Sequence, residues 1–245
     1  MGMPVQLEIP DTRVTQEDYD VVFEYFIAID ERFSTYKEGS EISKINRGEI
    51  TESEYSDEMK EVLVLAKETE KATNGYFNIH TPSGLIDPSG LVKGWAIQNA
   101  AELLRARGMS NFYLDVGGDI QTSGVDGEGN EWSIGIRNPL NTADRNEIVK
   151  VVYPHGKGVA TSGSYVRGAH IYNPHAVSEQ PHEYVSLTVI GPNVFEADRY
   201  ATPAFAMGKK GMHFLEELLG FEAYAIDATG MAEYTSGFEA YTKNA

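Results

Sequence analysis

The sequence predicts an α+β fold with a mainly antiparallel sheet. Strand-like segments come in runs, the runs are separated by paired amphipathic helices, and no low-complexity linker marks a boundary. A chain of 245 residues with 41% hydrophobic residues can bury a sizeable core, either as one large domain or as two intimately joined units. The expected organisation is one domain over residues 1–245.

The elements follow in order. "VQLEI" alternates as a short strand, and residues 15–33 read as a helix that Thr15 caps and that carries Val22, Phe26, Ile29 and Phe33 on one stripe. "FSTYKEGSEISKINRGE" reads as a polar connection in which Ser34 and Thr35 cap or turn the chain. A second helix starts at Asp57, places Met59, Leu63 and Ala66 on one face and stops at Asn74-Gly75. In "IDPSGLVKGWAIQNAAELLRARG", Ala96, Ile97, Ala100, Leu103 and Leu104 recur at helical spacing until Gly108. "NFYLDVGGDIQTSG" supplies β-branched and aromatic residues broken at Gly117-Gly118, and strands "EWSIGIR" and "NEIVKVVYP" flank a polar loop. "GVATSGSY" is a cluster of small residues and "EYVSLTVIG" a strand. Residues 197–207 read as a helix interrupted by Pro203, residues 211–219 as another helix, and "FEAYAID" as a near-terminal strand.

Composition excludes several functions. With 20 Lys and Arg against 37 Asp and Glu, the net charge is −17, and no basic cluster exists to release counterions from a nucleic acid. There is no cysteine, so disulfides, thiolate metal sites and a cysteine nucleophile are excluded, and any metal must use oxygen or imidazole. No apolar run approaches the roughly 18 residues of a membrane span, and "MGMPVQLEIPDTR" has neither a basic n-region nor an apolar h-region. The expectation is a soluble, cytoplasmic protein. In so acidic a chain, a polyanionic substrate would need local neutralisation, for which a divalent cation is the economical means.

Small and acidic residues gather at the ends of regular elements: Asp87 to Lys93, Gly117 to Asp119, Ala160 to Tyr165, and Asp198 with Thr202. Glycines admit close backbone approach, and the N–H groups at a helix mouth bind phosphate oxygens, so a diphosphate suits such a place. Taken singly, Gly117-Gly118 reads more simply as a turn and Lys93 as a solvated first-turn lysine, although a cation there opposes the helix dipole and is better placed beside an anion. Asp198 and Thr202 stand at i and i+4, where carboxylate and hydroxyl on one helical face can meet a hard cation; an N-terminal Asp beside a back-bonding Thr is the plainer reading. His170 and His175 are spaced poorly for a helical metal pair, and one of them is a candidate general base or a satisfied polar residue. "ATSGS" lacks the nucleophile elbow of a catalytic serine.

In order along the chain, "MGMPV", "RFSTYKEGSEISKIN", "IDPSGLVKGWAIQNAAELLRARG", "NFYLDVGGDI", "VATSGSY", "HIYNP", "SLTVIGP" and "EADRYAT" resemble the FAD:protein FMN transferases, the ApbE-like family. The resemblance spans almost the whole chain. It implies two fused T-fold-like repeats, Mg²⁺, FAD as donor, and transfer of FMN to a Thr or Ser hydroxyl of an acceptor protein with release of AMP. It assigns metal ligation to Asp198, Thr202 and the main-chain carbonyl of Gly90. Contacts to the flavin nucleotide fall on Met1, Tyr36, Asp87, Lys93 and Tyr172, with Asp119 and Ser162 nearby, and the family histidine falls on His170. Water as acceptor would make the same site an FAD hydrolase, and a site without chemistry would make a flavin-binding protein.

The chain departs from the family pattern in three places. Only "IHTPSGL" separates "NGYFN" from "IDPSG", where the family carries a longer aromatic and glycine-bearing segment. "HIYNP" replaces H-I-I-D-P, exchanging a carboxylate for Tyr172, and Pro203 directly follows the candidate ligand Thr202, where it is expected to kink the helix.

Overall fold

The computed structural model describes residues 2–81, 83–141, 144, 147–163, 175 and 183–243. The expected α+β architecture is present. A seven-stranded sheet has the order β1-β2-β3-β6-β7-β8-β9, built from β1 (Val5–Glu8), β2 (Phe112–Val116), β3 (Asp119–Ser123), β6 (Gly158–Gly163), β7 (Ser186–Gly191), β8 (Glu222–Ile226) and β9 (Ala232–Tyr234). Every neighbouring pair in it is antiparallel. Strands β4 (Ile134–Arg137) and β5 (Ile148–Val152) form a separate antiparallel ribbon.

Alternation decides which face each strand turns to the helices. On β2, Phe112, Leu114 and Val116 are buried against them, while Tyr113 and Asp115 point to the opposite face. The helical layer over the first half comprises α1 (Gln16–Phe33), α2 (Glu41–Asn46), α3 (Asp57–Ala72) and α4 (Ser89–Ala106). Helices α5 (Val194–Met207) and α6 (Lys209–Glu217) cover β6, β7 and β8. The ribbon closes the other face, where Ile134, Ile136 and Val152 pack on Ile120, Val159, Ile190 and Tyr224. Buried between these layers, β7 has no exposed residue, as expected of a central strand covered on both sides.

The second half of the chain runs β6-β7-α5-α6-β8-β9, two strands, two helices and two strands; the first half sets β1 and the hairpin β2–β3 around α1 to α4. The halves share one sheet through the β3–β6 ladder, whose register pairs are Ile120 with Val159 and Gln121 with Gly158. The Gln121 side chain reinforces this join, accepting from the Val194 N–H at 2.8 Å and donating to the Gly156 carbonyl at 2.9 Å.

Several expectations shift. The polar connection contains α2, capped by Ser40, whose hydroxyl accepts from the Ser43 N–H at 3.1 Å and whose Ile42 and Ile45 are buried. Helix α5 begins at Val194 because Asn193 caps it, its side chain accepting from the Glu196 N–H at 2.9 Å. The helix also runs unbroken through Pro203. Proline forfeits one N–H to the ladder, but the burial of Pro203, Ala204 and Phe205 holds the last turns in place. Within the small-residue cluster, Gly158–Gly163 form strand β6. Its smallness serves packing, since a Cβ on Gly158 would come within 1.9 Å of the Val194 nitrogen.

Candidate active site

A cleft of about 1420 Å³ opens between the halves. Its walls come from the α1–α2 connection, the turn before α4, the outer face of β2, β3 and β6, the ribbon, and one face of α5. Of the residues anticipated from sequence, Tyr36, Asp87, Gly90, Lys93, Ser162, Asp198 and Thr202 line it, and Asp119 lies buried beneath Lys93. Tyr36 stands at the rim, 97% exposed. Met1, His170 and Tyr172 lie outside the described residues.

The turn that opens α4 is held from two sides. The Asn46 side chain donates to the Ile86 carbonyl at 2.9 Å and accepts from the Ile86 N–H at 2.7 Å, pinning the segment to the end of α2. Asp87 then accepts from the Ser89 N–H at 3.0 Å, an Asx turn that sets the first turn of the helix. That first turn, with Ser89, Gly90 and Lys93, faces the cleft.

At the deepest corner α4 and α5 cross in near contact. The Gly94 N–H, which a regular ladder gives to the Gly90 carbonyl, donates to Asp198 Oδ2 at 2.8 Å. Lys93 Nζ is ion-paired with Asp119 and lies 3.5 Å from Asp198 Oδ1. Asp119 in turn accepts from the Thr161 N–H at 3.1 Å, where the β3–β6 ladder has ended. One turn after Asp198, the Thr202 hydroxyl lies 3.1 Å from that of Ser162, and Thr161 and Thr188 hydroxyls are 2.9 Å apart. Carboxylates, hydroxyls and a lysine from α4, α5, β3 and β6 thus meet at one point.

Burial pushes the Asp198 carboxyl well above the usual carboxylate range; Lys93 opposes the shift and Asp119 adds to it. A cation would reverse that shift. Among the described residues no group of three or more His, Asp or Glu side chains gathers around a point. The ligands that the family resemblance implies, Asp198, Thr202 and the carbonyl of Gly90, all line this cleft and would make a mixed oxygen set, the donor chemistry of a hard cation such as Mg²⁺. The residues fit that ion.

Sequence reasoning missed the far wall, where Tyr113, Asp115 and Arg137 line the cleft. Asp115 accepts from the Gly118 N–H at 2.7 Å, and burial raises its carboxyl above the ordinary value. Their signal was the alternation of β2, which turns Tyr113 and Asp115 away from the core. Gly94 and Asn46 were missed as well, because their partners lie far away in sequence.

The fold and the corner define an antiparallel α+β protein with a large cleft at whose base carboxylate, hydroxyl and lysine groups gather. The ApbE family model matches residues 1–85 and 80–225, and the chain belongs to the ApbE family. Similar proteins include the FAD:protein FMN transferases of Escherichia coli strain K12, 31% identical over 63% of this chain and 46% of that protein, and of Haemophilus influenzae, 28% identical over 74% and 54%. The chain spans about half the length of these relatives. The flavin transferase ApbE from Vibrio cholerae superposes with a TM-score of 0.84 at 22% identity, covering 98% of this chain and 96% of that one. The ApbE protein from Thermotoga maritima gives 0.84 at 20% identity over 99% and 97%. No helix among the described residues is long and apolar enough to cross a membrane.

Proposed function

We propose that the protein is a Mg²⁺-dependent transferase that moves the FMN moiety of FAD onto a Thr or Ser hydroxyl of an acceptor protein and releases AMP. The observation that carries this reading is the convergence of Gly90, Lys93, Asp198 and Thr202 at the base of one cleft. The names of the curated relatives agree with it. The cleft exceeds the roughly 300–1,000 Å³ of ordinary ligand sites, which leaves room for a dinucleotide and part of an acceptor.

Bound by Asp198, Thr202 and the Gly90 carbonyl, Mg²⁺ would supply neutralising charge to the diphosphate. The remaining work belongs to the chain. Lys93 orients the phosphate oxygens, and the walls carrying Tyr36 and Asp87 position the nucleotide. The acceptor hydroxyl oxygen bonds to the FMN phosphorus as the bond to the AMP oxygen breaks, and His170, assigned by family resemblance, takes the hydroxyl proton. The lack of cysteine suits a reducing compartment, and the reading keeps the protein in the cytoplasm.

The test is incubation with FAD and Mg²⁺, with and without an acceptor domain carrying a Thr. Transfer predicts covalent flavin fluorescence on the acceptor and one AMP per flavin; AMP without acceptor would make it a hydrolase, and an intact FAD pool a carrier. Asp198→Ala should lower Mg²⁺-dependent turnover by roughly a hundredfold or more. Full activity in that variant overturns the metal assignment.

A further inference from the structure

Strand β5 is flanked by β4 on one side only; among the described residues no strand pairs with its other edge. That edge is unusually apolar for one facing solvent, with Ile148 44%, Val149 39% and Val151 42% exposed. Its far end is already taken, since the Tyr153 N–H donates to the Tyr241 carbonyl at 2.7 Å. Strand periodicity puts the Val151 N–H on the same side as that of Tyr153, so a ladder donor points outward beside a carbonyl-bearing edge. Along this edge lies a shallow groove of about 290 Å³ lined by Ile148 to Val151, Tyr153, Thr242 and Lys243. Ile148 and Val151 line the main cleft too, so groove and cleft are continuous.

Charge narrows the occupant. In a protein of net charge −17, this groove presents Lys150 and Lys243, and no ion pair joins either to a described carboxylate. Lys243 lies over the Tyr153 ring, 4.3 Å from its centroid, and Glu147, which precedes the strand, is engaged by the Asn141 amide. We propose that the β5 edge docks the acceptor: an extended segment bearing an acidic residue near its hydroxyl pairs as an added strand, with its carboxylate at Lys150 and Lys243 and its neighbouring residues led into the cleft. This inference rests on the transferase reading and names the surface through which that reading recognises its protein substrate. Main-chain pairing would supply affinity, and the two lysines selectivity.

Transfer kinetics on the full chain decide it. The double variant Lys150→Glu/Lys243→Glu should raise the acceptor KM about tenfold or more while FAD affinity, read from flavin fluorescence quenching, stays unchanged. Val151→Pro, which removes the outward N–H without touching a β4 bond, should raise the acceptor KM as well, whereas Lys150→Arg/Lys243→Arg, which keeps both charges, should stay near wild type. Circular dichroism shows that the variants fold. Wild-type acceptor KM in both the double variant and Val151→Pro overturns the proposal. A wild-type protein that dimerises through this edge, and that becomes monomeric in Val151→Pro with its acceptor KM unchanged, overturns it in favour of a second copy. A wild type that transfers nothing to any acceptor refutes the transferase reading itself, a failure visible before any variant is made.

Discussion

A methyl group added at Gly94 would place a carbon 2.6 Å from the Asp198 Cβ and 3.1 Å from the Val194 carbonyl. Neither neighbour is the loose end of a long side chain, so α4 and α5 would have to part. Gly94→Ala should therefore cost about 1–3 kcal/mol in urea unfolding, and it should weaken Mg²⁺-dependent turnover as well, because Asp198 is the residue displaced. A variant with unchanged midpoint and turnover would mean that the crossing tolerates a wider spacing. Nothing in the sequence distinguishes Gly94 from an ordinary helical glycine, since the carboxylate it admits lies 104 positions away. Asn46 is hidden for the same reason: its two hydrogen bonds reach Ile86, 40 positions on. That Asp198 and Thr202 share one helical face, by contrast, was legible because a one-turn spacing is local, and both line the cleft.

Helix α1 shows how much a cap decides at the scale of an element. Asp18 accepts from both the N–H and the hydroxyl of Thr15 at 2.8 Å, closing the first turn where the sequence placed it. The same carboxylate meets Arg107 Nε at 2.5 Å, tying the start of α1 to the end of α4. Hydrogen bonds from Arg107 and Thr15 hold the Asp18 carboxyl down at about 2. A depressed carboxylate stabilises the folded state at pH values above its ordinary range, and that contribution disappears as pH falls through the folded value. Urea midpoints of wild type and Asp18→Asn should therefore differ most above about pH 4 and converge toward pH 2; a constant gap would place the effect in packing rather than ionisation. Elements with such local signals were found from sequence, and those without were not. Helix α2 spans 6 residues, too few for periodicity to show, and the start of α5 depends on an Asn193 that also reads as a turn after β7.

For the whole molecule, the class of fold was legible because strands and helices came in pairs, whereas the cleft was not, because its walls are drawn from segments that only the closed sheet brings together. If both FAD and Mg²⁺ bind at the base of that cleft, each should raise the melting temperature more in the presence of the other. Saturation at a hundred times the dissociation constant corresponds to about 2.7 kcal/mol, and chelation of the metal should remove the cooperative part. Independent, additive shifts would separate the two sites. The corner itself sits where the halves are bolted together, at the short β3–β6 ladder, the Asp119–Thr161 bond and the α4–α5 crossing. In any rocking of one half against the other, displacement grows with distance from the fulcrum. The rim at Tyr36 would swing through the largest arc while Lys93 and Asp198 scarcely move, so a bulky guest can be admitted and let go without dismantling the machinery at the pivot.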